Sequence, residues 1–147
     1  MKVVIIDDEP AAIDVLKFHL SSIPFVVLKK TFRDPLDALE YLPQHKIDLI
    51  FLDIHMPDFT GFDFIETLKN PPKIVLTTSD SNFAIQAFEY DCIVDYLVKP
   101  ITPERFQKAI QKAEATPSSI DSKPSSSTEK VEASSGNDLY VNIDRRL

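Results

Sequence analysis

Five short apolar runs, Val3–Ile6, Phe25–Leu28, Leu49–Leu52, Ile74–Leu76 and Tyr96–Val98, fall within the first hundred residues and are separated by stretches of helical periodicity. Their length and β-branched content predict strands. In the intervening stretches apolar residues return to one helical face: Ile13, Leu16 and Leu20; Leu36 and Leu39; Phe64, Ile65 and Leu68; Ala84, Ala87 and Phe88. A last set, Phe106, Ala109, Ile110 and Ala113, follows the spacing of an amphipathic helix most closely. Pro10, Pro35 and Pro103 stand behind acids or Thr102, at first-turn positions where a missing amide donor does no harm. Strict alternation with nearly all-apolar strands predicts an α/β domain, a parallel sheet covered by helices on both faces.

The pattern stops near residue 115. From Thr116 to Gly136 there are eight serines, two prolines and no aromatic residue, too little apolar surface to offset the ordering of the chain. This segment is expected to be a flexible linker. Beyond it, Leu139, Val141 and Ile143 alternate with Tyr140, Asn142 and Asp144. That is a strand pattern cut off at Leu147, and it is expected to open a second domain; a frayed tail with accidental alternation is the other reading. Residues 1–115, 116–136 and 137–147 thus divide into domain, linker and stub.

Counting excludes several functions. With only two glycines, Gly61 and Gly136, neither the phosphate-cradling P-loop nor the dinucleotide fingerprint can be written. A formal net charge of -7 is the wrong sign for a module that draws its affinity from nucleic-acid phosphates. Cys92 stands alone, and His19, His45 and His55 have no zinc-site spacing. A lone cysteine and the lack of any apolar run near the roughly 18 residues that span a bilayer predict a soluble, cytoplasmic chain without a membrane partner.

In an open parallel sheet, ligands bind beyond the carboxyl ends of the strands. Asp7, Asp8 and Glu9 follow the first strand, Asp53 ends the third, Thr77 and Thr78 the fourth, and Lys99-Pro100 the fifth. Clustered carboxylates raise one another's pKa unless a cation sits among them, and an all-oxygen set suits a hard ion such as Mg²⁺. A hydroxyl and an ammonium opposite that ion complete a site for a tetrahedral oxyanion, and a carboxylate is the strand-end group placed to accept a phosphoryl covalently. Singly, each piece has an ordinary explanation: the Asp pair as a helix cap, the threonines as strand formers, Lys99 as a solvated charge. Their joint placement at four strand ends does not.

The order Asp7-Asp8-Glu9, then LDIHMPDFTG with Pro57 and Gly61 four and eight positions past Asp53, then LTTS, then DYLVKP, resembles the receiver domain of two-component response regulators. The resemblance implies a flavodoxin-like doubly wound (βα)5 fold with a five-stranded parallel sheet in the order 2-1-3-4-5. It implies Asp53 as acceptor of a phosphoryl group from a sensor histidine kinase. Mg²⁺ would lie on Asp8, Asp53 and the backbone carbonyl of His55, with Asp7 acting through water. Lys99 and Thr78 would contact the phosphoryl oxygens, Thr78 and Tyr96 would form the switch, and the Lys99–Pro100 peptide bond would be cis. Ser79 stands where the family usually has alanine. His55 and Asp80 occupy the family's variable positions flanking the path of hydrolytic water, and a solvated loop histidine is the plainer reading of His55.

The stub NDLYVNIDRRL, with LTTS and VDYLVKPI, resembles the LytTR-type (LytR/AlgR) branch. That implies a transcription factor whose DNA contacts lie past Leu147; the receiver resemblance leads us to expect a phosphorylation-dependent homodimer through the fourth helix, fifth strand and fifth helix. A competing class is a Mg²⁺-dependent, aspartate-nucleophile phosphohydrolase, which also uses Asp, Thr, Lys and an acidic pair at strand ends. It wants a second acid two residues past its nucleophile, where His55 stands here. A receiver-like module that is never phosphorylated is disfavoured by the presence of every phosphorylation residue.

Overall fold

A computed structural model describes residues 1–117; the expected stub and the linker beyond Pro117 lie outside the described residues. Strands β1 (Lys2–Ile6), β2 (Val27–Phe32), β3 (Leu49–Asp53), β4 (Lys73–Thr78) and β5 (Ile93–Val98) alternate with helices α1 (Pro10–Leu20), α2 (Pro35–Tyr41), α3 (Gly61–Thr67), α4 (Ala84–Ala87) and α5 (Pro103–Ala115). All strand pairs are parallel, in the order β2-β1-β3-β4-β5, as expected.

The alternation of side chains along each strand sorts the core into two layers. Val3, Ile5, Leu49, Phe51, Val75 and Leu97 pack under α1 and α5, while Val4, Ile6, Ile50, Leu52, Ile74 and Leu76 pack under α2, α3 and α4. β1 and β3 lie centrally and are fully buried from Val3 to Ile6 and from Leu49 to Leu52. Pro10, Pro35 and Pro103 all stand in the first turn of their helices. Asp34 and Thr102 accept hydrogen bonds from backbone N–H groups of α2 and α5, and Thr60 and Asp63 form a reciprocal capping box on α3.

The structure departs from the expected elements at three points. The second strand runs over Val27–Phe32 and not Phe25–Leu28. It is an edge strand rich in lysine with mostly exposed side chains, so the apolar run before it was a misleading guide. Leu36 is 59% exposed, and α2 buries Pro35 and Ala38 instead. Phe88 is 77% exposed because α4 is a single turn that buries only Ala87, preceded by a 3₁₀ turn at Ser81–Phe83.

Candidate functional site

The carboxyl ends of the strands carry a compact polar cluster. Asp7, one residue past β1, and Asp53, the last residue of β3, are 1% and 3% exposed; Asp8 is half-buried. One oxygen from each of these three carboxylates lies within 4.8 Å of the other two. Lys99, just past β5, reaches across from the far side: its Nζ donates to Asp7 Oδ2 at 3.0 Å and lies 3.6 Å from Asp53 Oδ1 and 3.7 Å from Glu9. The backbone N–H of His55 points at Asp53 Oδ1 from 3.4 Å.

The electrostatics follow from that crowding. Burial, and next the neighbouring Asp7, push the Asp53 carboxyl up to about 7 against the opposing pull of Lys99 and the His55 N–H. Burial pulls the Lys99 ammonium down, but its hydrogen bond to Asp7 and the charge of Asp53 outweigh this and hold it above its usual range. One ammonium faces three clustered carboxylates and the more exposed Glu9, so the site carries excess negative charge. The donors are oxygens alone and Asp8 opens toward solvent; this set fits a hard divalent cation such as Mg²⁺.

Gly61 places α3 against this site. Its N–H donates to the Ile54 carbonyl at 2.9 Å, and a Cβ on Gly61 would lie 2.8 Å from the Asp53 carbonyl oxygen. No side chain fits there without movement of the backbone that holds Asp53. The chain reaches Gly61 through a loop in which Asp58 takes a left-handed conformation, φ 65°, which aspartate tolerates better than most residues.

The remaining predicted residues lie around the cluster. The Lys99–Pro100 peptide bond is cis. Thr78 is fully buried, and its hydroxyl accepts the Asp80 N–H at 3.1 Å. The buried Tyr96 donates its hydroxyl proton to the Asp80 carbonyl and accepts the Phe83 N–H at 3.2 Å. Thr78 and Tyr96 therefore meet on the loop after β4, while Asp7, Asp8, Asp53 and Lys99 meet at the cluster. The His55 side chain is exposed, with its ring edge-on to Phe83 at 5.1 Å.

Two features escaped the sequence. Asp95, inward-facing on β5, takes a two-pronged hydrogen bond from Arg105, both contacts 2.7 Å, with Lys112 at 3.3 Å. His19 on α1 stacks on Phe106 of α5, and its Nε2 donates to the Ile101 carbonyl at 3.0 Å, just past Lys99-Pro100. Charges and a histidine inside helical or strand periodicity carry no signal of their partners.

Sheet order, acidic cluster and opposed lysine together define a receiver. Residues 3–111 match the response regulator receiver domain, and the chain belongs to that family. Within it, the chain is 33% identical to the transcriptional regulatory protein LytR of Staphylococcus aureus (strain N315) over the whole of its own length and 61% of the relative's. It is 39% identical to the sensory transduction protein LytT of Bacillus anthracis, over 76% of this chain and 46% of that one. The chain thus spans about three-fifths or less of these relatives. Among solved structures, the response regulatory domain of mrkE from Klebsiella pneumoniae superimposes with a TM-score of 0.70 at 33% identity, covering 78% of this chain and 95% of that one. The family assignment selects the two-component signalling reading over the phosphohydrolase. Among the described residues, no helix is long and apolar enough to cross a membrane.

Proposed function

We propose that this receiver works as a phosphorylation switch for a transcriptional output, with Asp53 as phosphoacceptor. The observation that carries the reading is the convergence of Asp7, Asp8 and Asp53 within 4.8 Å with Lys99 3.6 Å from Asp53. An oxygen of Asp53 bonds to phosphorus as the phosphorus–nitrogen bond of the donor phosphohistidine breaks, and the donor imidazole keeps that electron pair. Lys99 neutralises charge on the transferring group's oxygens, and the Thr78 hydroxyl turns from the Asp80 N–H to donate to the acyl phosphate. Asp8, Asp53 and the His55 carbonyl would hold Mg²⁺ directly and Asp7 through water; when bound, the ion supplies positive charge to the phosphoryl oxygens.

The sensor histidine kinase, the cytoplasmic setting and the homodimer belong to this proposal. So do a linker over 116–136 and DNA contacts through a domain past residue 147, which the name of LytR, a transcriptional regulatory protein, supports. Incubation with acetyl phosphate and Mg²⁺, followed by intact mass, tests the chemistry. One phosphoryl addition to the wild type and none to Asp53→Asn is expected; label persisting in Asp53→Asn, or full labelling in excess chelator, overturns the site.

A further inference from the structure

Beside Asp53 lies a hydroxyl that the mechanism above does not use. Thr77 is the register partner of Asp53 across the parallel β3–β4 pair. Val75, two residues before it, shares the α1 and α5 core layer with Phe51, two residues before Asp53. By alternation the two side chains leave the sheet on the same face as neighbours. Thr77 is 1% exposed, and its Oγ1 is the one buried side-chain polar atom without a hydrogen-bond partner among the described residues.

That orphan is an anomaly, since a buried hydroxyl without a partner is destabilising and valine fills the same shape without the penalty. Threonine's β-branching accounts for a strand residue at this position, but valine has that branching too. Asp53 meanwhile is weakly held: its contacts with the His55 N–H and Lys99, at 3.4 and 3.6 Å, both fall on Oδ1. A carboxylate must be oriented before it attacks in line, and its register partner on β4 carries a buried hydroxyl without a hydrogen-bond partner.

We infer that Thr77 is a positioning residue for phosphorylation: its hydroxyl, unpartnered in the resting state, donates to the Oδ1 side of Asp53 in the reacting and phosphorylated states, leaving the other oxygen directed at phosphorus. The inference rests on Asp53 being the phosphoacceptor. A bond absent at rest and made during reaction favours only the latter, so stability and phosphorylation respond in opposite directions when the hydroxyl is removed.

The test compares the wild-type chain with Thr77→Val and Thr77→Ser, using acetyl phosphate and saturating Mg²⁺ with intact mass as readout, and thermal melting of the unphosphorylated chain. Thr77→Val is expected to melt at or above the wild type while its maximal phosphorylation rate falls roughly tenfold. The acetyl phosphate concentration for half-maximal rate stays unchanged, because Thr77 is buried away from the donor. Thr77→Ser, which keeps the hydroxyl, recovers most of the rate. Wild-type kinetics in Thr77→Val overturn the inference alone, as does a valine variant melting well below the wild type, which would mean the hydroxyl is already partnered at rest. A wild-type chain that takes no phosphoryl group overturns the Asp53 reading and the inference with it.

Discussion

At the scale of single residues, the site is a set of unfavourable choices held in place by the sheet. Asp53 is one of them: in the folded chain its carboxyl lies at about 7, well above the value of about 3.9 in an unfolded chain. Its raised pKa means that folding favours the protonated form, so full stability holds below pH 4 and is lost as pH rises toward 7. In chelator at pH 8, Asp53→Asn should therefore unfold at higher urea than the wild type, by at most about 4 kcal/mol, with the difference gone by pH 4. Gly61→Ala works in the other direction, because its Cβ meets the Asp53 carbonyl at 2.8 Å. It should destabilise by about 1–3 kcal/mol in urea titrations and slow phosphorylation of Asp53 by displacing its backbone. Asp7, Asp53 and Lys99 were legible in the sequence because strand ends are legible. The orphaned Thr77 hydroxyl was not, since partner geometry leaves no trace in one strand's pattern.

At the scale of elements, β5 is tied to both of its flanks. Tyr96 binds it to the loop after β4, and Asp95 to Arg105 and Lys112 binds it to α5. Burial raises the Asp95 carboxyl, yet its hydrogen bonds from Arg105 and from the Tyr96 N–H, with the charge of Lys112, leave it below its ordinary value. The stabilisation it brings is present above about pH 4 and is lost as pH falls through the depressed value. Arg105 is 36% exposed, so solvent screens part of the attraction; Arg105→Leu should cost about 1–3 kcal/mol at pH 7 and much less at pH 3, as urea unfolding at the two pH values would show. Central strands such as β3 announced themselves by unbroken apolar runs. The edge strand β2, with Lys29 and Lys30 facing water, and the one-turn α4 did not, because period signals fade where one face is solvated or the element is short.

At the scale of the molecule, the proposed ion site would make stability depend on a cation. A divalent ion that binds only the folded chain adds about 2.7 kcal/mol at a hundred times its Kd, so millimolar Mg²⁺ should raise the melting temperature. Asp8→Ala should abolish most of that gain, and an unchanged wild-type melt would count against the proposed ion site. The proposed output runs through the face of α4, β5 and α5, on whose elements and their ends Ile85, Phe88 and Val98 are 82%, 77% and 40% exposed. Under the proposed switch, phosphorylation tightens a homodimer through this face by roughly 5- to 150-fold, the usual range of coupling between two sites. Sedimentation across a concentration series reads the shift, and Tyr96→Ala should shrink it while Asp53 still takes label. Identical curves with and without phosphoryl would remove dimerisation as the output.

The meeting of Thr78 and Tyr96 on Asp80 has a consequence for substitution at position 80. Thr78 takes the N–H of that residue and Tyr96 its carbonyl, while the carboxylate is used separately, on the Asn82 N–H. The link is made of main-chain atoms, which nineteen of the twenty amino acids supply alike and proline alone lacks in part. Under the proposed switch, any substitution at position 80 other than proline would keep both main-chain hydrogen bonds between Thr78 and Tyr96, losing only the cap on Asn82.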